Sequence, residues 1–297
     1  MTFDDNNPSQ PEPSRSAAAA PESPQAHLVP SLTPGYLGPI DPRLPDDLRV
    51  PWGWLDLLIL VVVAFFGTFV ISLLLIKAFA IFGLSFHQIQ KDAGDKNLFL
   101  ILNQALLSVV LLAYLATQMR HTFHAPFWRT IGWRPLQTGH TSRAAAYLGL
   151  ILGGFMLAIL VTLSSAVFKA PKGTPIEQFF QDRRSALLLM SMAVLLAPVL
   201  EETIFRGYIY PVIARSFGVN AGVVVTGTLF GLLHASQLWG GWAQIVLLVL
   251  VGIVFTYARA RTHTVVASYL LHVSYNSCLF LGFLVASHGF RHFPAAP

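Results

Sequence analysis

Carboxylates almost vanish from the last part of this chain. Between Arg183 and Pro297 the only two are the adjacent Glu201 and Glu202, within "LLAPVLEETIFRGYIYPV". Over all 297 residues only 11% are charged, against about 25% in soluble domains, while 54% are hydrophobic. That deficit excludes an ordinary soluble domain and indicates a membrane protein. Cysteine is nearly missing as well: Cys278 stands alone, which excludes an internal disulfide framework and a thiolate metal cluster. It reads as a small buried apolar residue. The net charge of +5 does not indicate nucleic acid. The basic residues flank apolar segments, as topology signals do, and no nucleic-acid module signature occurs.

Residues 1–50 differ in kind from the rest. They hold ten of the nineteen prolines, an "AAAA" run and few large apolar residues. A segment of this composition buries too little to offset its ordering entropy, so a disordered tail is expected. "MTFDDNNPSQ" lacks the basic start and the apolar h-region of a signal peptide.

Residues 51–297 then form the transmembrane domain. A hydrocarbon core about 30 Å thick needs about 20 helical residues. Candidate spans run at 54–82, 98–119, 144–168, 186–214, 219–236, 242–260 and 264–287. The expected fold is all-α: a polytopic transmembrane helical bundle of about seven to eight spans.

Arginine positions orient the bundle. The segment 120–143 holds Arg120, Arg129, Arg134 and Arg143 and no acid, which assigns it to the cytoplasmic side. "FWRTIGWRP" within it suits an interfacial helix. The same choice brings Arg215, Arg259 and Arg261 to that side, with the N-terminal tail cytoplasmic and the last residues external. The expected location is a cell membrane, crossed several times.

Charge at membrane depth costs roughly 2.5–3.5 kcal/mol per residue unless it is paired or meets water. Glu202 and Arg206 stand four apart with the acid first, the better order for pairing on a helix, and read as a structural pair. Glu201 has no partner on its own helix. Pro198, three residues earlier, removes a helical hydrogen bond and loosens that turn. Such loosening is tolerated where a helix lines a water-filled cavity.

Of the ten histidines, only His234 and His272 lie well inside apolar spans. Each alone is most simply a buried neutral imidazole bonded to a neighbouring helix. Counting along the chain adds weight to a joint role. Glu201 lies 17 residues before Gly218 and His234 lies 16 after it. With Gly218 as the turn of an antiparallel hairpin, both stand about 25 Å from it. His272 and Asn276 are four apart and share one face, as do Phe230 and His234. Phe230 is expected to pack against the histidine ring and fix it.

A carboxylate and an imidazole around a water can deprotonate it for attack on a carbonyl. Donors from His272 and Asn276 can hold the oxygen that becomes negative. Together they describe amide hydrolysis within a membrane. Competing chemistries lack their residues. The "GD" at Gly94–Asp95 lies in a loop and makes no GxGD aspartate pair, no "HExxH" occurs, and no "GxSxG"-type serine accompanies a histidine.

"EETIFRG", "FGLLH" and "HVSYN" resemble the EExxxR, FxxxH and HxxxN motifs of the CAAX-protease and bacteriocin-processing (CPBP, or ABI) membrane peptidases, type II CAAX prenyl protease-like, over about 185–280. The resemblance implies that Glu201 and His234 activate water, that His272 and Asn276 stabilise the oxyanion, and that Glu202 and Arg206 support the site. It also implies a peptide or protein substrate that is prenylated or otherwise membrane-bound. Members are often called metalloproteases. A zinc site usually takes three protein ligands, and here Glu201, His234 and His272 are the candidates. The glutamate-dependent reading needs no metal and is preferred, because the acid is already wanted as base. Two other classes stand beside it. One is a non-catalytic membrane scaffold or immunity-type binding protein, which should have lost motif residues, and none is missing. The other is a proton-coupled transporter, whose usual internal repeats are absent.

Overall fold

The computed structural model describes residues 44–139, 142–168, 174–180 and 182–290. Among the described residues there are helices and no strands. α1 (Trp54–Ile81) starts where the Gly53 N–H donates to the Asp56 carboxylate at 2.8 Å. α2 (Ala93–His121) is capped by Asp92, α3 (Arg143–Val167) by Ser142, and α4 (Arg183–Phe217) by Asp182. Each capping side chain accepts the N–H three residues on, at 2.8–3.1 Å, satisfying a donor that the first turn leaves free. α5 (Val219–Leu233), α6 (Trp242–Thr262) and α7 (Val265–Ala286) complete the bundle. Short helical turns at Phe86–Lys91, Phe127–Thr130 and Pro175–Phe180 lie in the connections.

Among the described residues six helices are long and apolar enough to cross a membrane, not the seven or eight expected. The exception is α5. Its 15 residues reach about 22 Å, short of the ~30 Å hydrocarbon core. The apolar run continues to residue 236, but His234 leaves the helix as its C-cap, and a tight turn follows. His234 therefore sits at a helix end rather than well inside a span.

The expected boundary of the tail also shifts. Residues 1–43 lie outside the described residues, but Asp47, Leu48 and Val50 are buried. Arg259 donates to the Asp47 carboxylate at 2.7 Å, and Arg215 to the carbonyl of Val50 at 2.7 Å. The packed body thus begins before residue 50. "FWRTIGWRP" forms only the four-residue helix Phe127–Thr130, and Trp133 turns inward.

Glycine lets α5 and α6 approach closely. A Cβ on Gly227 would lie 2.5 Å from Ile253 N, and one on Gly231 2.7 Å from Val249 Cα. One on Gly252 would lie 2.5 Å from Gly227 O. α5 and α6 therefore touch backbone to backbone, as small-residue seams permit in a bilayer, where Leu contacts give no advantage over lipid. Gly218 has φ +90°, which L side chains rarely adopt, and it reverses the chain from α4 into α5.

The loop after α2, the Gly218 turn and the α6–α7 link gather at one end. There Val265 N donates to Gly132 O at 2.9 Å and the Thr264 hydroxyl to Arg134 O at 2.6 Å. At the other end Ile176 N donates to Gln237 O at 3.1 Å.

Candidate active site

Two irregular turns decide where the α4 side chains point. The helix widens into π turns at Met192–Leu196 and Glu202–Ile209. In such a turn each N–H reaches back five residues, and Ala197 N does so, to Met192 O. In that register Ala193 O would take the N–H of residue 198, but Pro198 has none. Asn276 supplies the donor from α7: its Nδ2 reaches Ala193 O at 2.7 Å.

Successive helical residues are about 100° apart, so Glu201 and Glu202 face different neighbours. Glu202 is fully buried and bonds Arg206 Nη1 at 2.9 Å. Arg206, also fully buried, spends Nε on the Thr256 hydroxyl (3.2 Å) and Nη2 on Gly252 O (2.9 Å), both on α6. Its guanidinium lies over the Phe230 ring, 4.4 Å from the centroid, with Phe205 and Phe255 beyond. This is the environment a buried arginine requires: a charged partner, further acceptors and aromatic faces.

Glu201 keeps 19% of its side chain exposed, as does His234. Oε1 of Glu201 stands 3.8 Å from His234 Nε2, and Oε2 stands 3.7 Å from His272 Nε2. The equal heights counted from Gly218 are met, and the two groups also face one another. Hydrogen-bond partners assign the tautomers. His234 Nδ1 lies 2.9 Å from Phe230 O, which can only accept, so Nδ1 carries the proton. His272 Nδ1 lies 2.9 Å from Glu202 Oε1 and is the donor there too. With a single proton on each ring Nε2 is the bare nitrogen, and in both rings it is turned toward Glu201. Phe230 packs on His234 with centroids 4.9 Å apart, as its spacing implied.

His272 and Asn276 share a face, yet their bonds diverge: one goes to Glu202 and the other to Ala193 O. For the pair to serve an oxyanion, His272 must be protonated at Nε2 and Asn276 must use its second amide hydrogen. Among the described residues no group of three or more His, Cys, Asp and Glu side chains is disposed to hold a metal ion.

The residues behind the site had weaker signals. Trp52 is fully buried, stacks on Tyr208 (centroids 4.9 Å, 13°), and donates Nε1 to Tyr208 O at 2.9 Å. The Tyr208 hydroxyl donates to Gln118 at 2.6 Å, and the Gln118 amide donates to Asp56 at 2.9 Å. This chain ties the second π turn to α1 and α2. Trp133 Nε1 bonds Thr203, next to Glu202, at 3.0 Å. Trp52, Asp56, Gln118 and Trp133 share no helix or periodicity with the motifs, whereas Thr203 and Tyr208 lie on α4 beside Glu202 and Arg206. The α5–α6 seam does have a signal of its own, the four-residue glycine spacing of "GTLFG", which the sequence analysis did not read.

Fold and site define a polytopic helical membrane protein with an accessible acid–imidazole centre backed by a buried ion pair. Residues 183–278 match a family model described as Type II CAAX prenyl endopeptidase Rce1-like. The matched stretch runs from the start of α4 into α7 and contains all seven candidate site residues, so the similarity to this endopeptidase family covers the site. No curated protein and no solved structure matches the chain.

Proposed function

We propose that the protein is an intramembrane endopeptidase that hydrolyses a peptide bond of a membrane-associated or lipidated substrate, with Glu201 as general base. The observation that carries this reading is the Glu201 carboxylate, partly exposed and set 3.8 Å from His234 Nε2. A water at hydrogen-bond distance, about 2.8 Å, from both acceptors fits this separation. Donating its two hydrogens to Glu201 and to His234 Nε2 leaves its lone pair free to attack a carbonyl carbon. Glu201 takes the proton, and the Glu201–His234 pair can return it to the leaving amine.

On this reading His272, protonated and held by Glu202, and the second amide hydrogen of Asn276 face the developing oxyanion. The pair Glu202–Arg206 positions His272 and keeps its own charges off the reacting atoms. We further propose that the α2–α3 loop is cytoplasmic, because it carries the arginine excess.

The test is a proteomic comparison of membranes holding wild-type protein with membranes holding Glu201→Gln. Peptide termini present only with wild type are the expected result. Identical terminal profiles at matched protein levels would leave the scaffold reading in its place.

A further inference from the structure

A cavity of about 250 Å³ opens between the N-terminal halves of α2 and α4, the Pro175–Phe180 turn and the turn after α5. Three glutamines, Gln104, Gln178 and Gln237, line it, together with Ser236, and no charged side chain does. Leu189 and Met192 are among its apolar walls.

Two features set it apart from a gap between helices. First, Gln104 is exposed near the middle of α2, a span for which membrane depth disfavours a primary amide. An amide there needs hydrogen-bond partners, because lipid offers none. The Gln104, Gln178 and Gln237 side-chain amides have no hydrogen-bond partner among the described residues; the bonds at Gln104 and Gln178 involve their backbone carbonyls, and those at Gln237 its backbone N–H and carbonyl. Second, the cavity adjoins the candidate site at two places. Gln237 lies in the turn closed by Gln237 N–His234 O at 3.0 Å. Met192 opens the π turn whose Ala193 carbonyl holds Asn276.

We propose that this cavity is the subsite for an extended, uncharged stretch of the peptide substrate beside the scissile bond. The inference rests on the endopeptidase reading and names the substrate class. A peptide bond can be attacked only where the substrate is not helical, and unwinding at membrane depth frees backbone N–H and C=O groups that lipid cannot satisfy. A glutamine amide both donates and accepts, so it can pair with either group. The apolar walls receive the side chains of the stretch. A charged side chain on the substrate would find no counter-charge among those walls and would be excluded.

The test uses full-length Glu201→Gln protein in detergent micelles, so that binding is read without turnover. The probe is a capped hexapeptide of alanine and leucine with one diazirine-bearing leucine, mapped by mass spectrometry after irradiation. Labels are expected on Leu189, Met192 or the turn at Ser236–Gln237. The unlabelled neutral peptide should compete at least about tenfold better than the same peptide with a central Asp or Lys. Gln104→Met, close in shape, should weaken labelling about three- to tenfold, as loss of one hydrogen bond does. In an otherwise wild-type background it should raise KM and leave kcat near its starting value.

Labelling elsewhere, or equal competition by the charged peptides, overturns the subsite. Both readouts stand even if Gln104→Met fails to fold. Cavity labelling with the expected preference, combined with no Glu201-dependent hydrolysis, keeps the subsite and removes the endopeptidase reading. Glu201-dependent hydrolysis without cavity labelling does the reverse.

Discussion

Glu201 and Glu202 are neighbours in sequence and opposites in environment, and the difference assigns their roles. Glu201→Gln keeps shape and removes the base, so hydrolysis should fall to background while the melting temperature changes little. Arg206→Ala strands a carboxylate that is fully buried, and breaking such a pair costs on the order of 3–5 kcal/mol. Thermal melting in detergent checks both. A stable Arg206→Ala beside an unfolded Glu201→Gln would reverse the assignment. Asn276 carries a double expectation. Asn276→Ala leaves Ala193 O without its donor, which should cost about 1–3 kcal/mol of stability. If its second hydrogen also serves the oxyanion, turnover per folded molecule should fall by about 10²–10³. Destabilisation with unchanged turnover per folded molecule would leave Asn276 only the task of satisfying the Ala193 carbonyl.

At the scale of the helices, the glycine seam between α5 and α6 sets the distance across the site. His234 ends α5, while the acceptors of Arg206 lie on α6. Gly227→Val puts side-chain carbons into the backbone of Ile253 and must push the two helices apart. Overpacking of this kind typically costs 1–3 kcal/mol, and the shift should lower activity further by moving His234 away from Glu201. Gly149→Ala on α3 is the matched control, since nothing lies within 4 Å of its added Cβ. Melting and turnover of both variants, measured together, separate a packing effect at the seam from a general intolerance of glycine loss.

Across the whole molecule, Asp47 joins the segment before α1 to the α6–α7 link through Arg259 at 2.7 Å and His263 at 3.0 Å. Burial pushes the Asp47 carboxyl up, but the Arg259 guanidinium and the hydrogen bonds from Arg259 and His263 outweigh it and hold it below the ordinary carboxylate range. A carboxylate depressed in the folded state stabilises above its unfolded value, about 3.9, and that stability is lost as pH falls through the lower folded value. The difference in melting temperature between wild type and Asp47→Asn should therefore be full at neutral pH and shrink below about pH 4. A difference that is constant with pH would mean that packing, not charge, holds this clasp. Sidedness is tested on the same scale. In a Cys278→Ser background, a cysteine placed in the loop after α2 should resist impermeant labels in intact cells, and ready labelling would invert the bundle.

The amino-acid sequence alone determined what depends on local periodicity and on counting. Apolar run lengths marked the spans, a spacing of four paired Glu202 with Arg206, and equal distances from Gly218 brought Glu201 and His234 level. Spacing says how far along a helix a residue lies and which neighbours share its face. It does not say how that helix is rotated against another, because rotation is set by contacts between distant segments. Tertiary structure therefore decided the rest. It ended α5 at His234, turned His272 Nδ1 to Glu202 and its Nε2 to Glu201, and used Asn276 to satisfy a carbonyl that Pro198 cannot. Nε2 of both imidazoles turns toward Glu201 only because Phe230 O and Glu202 hold the opposite nitrogens, and those contacts come from how the backbone ends one helix and how two helices pack.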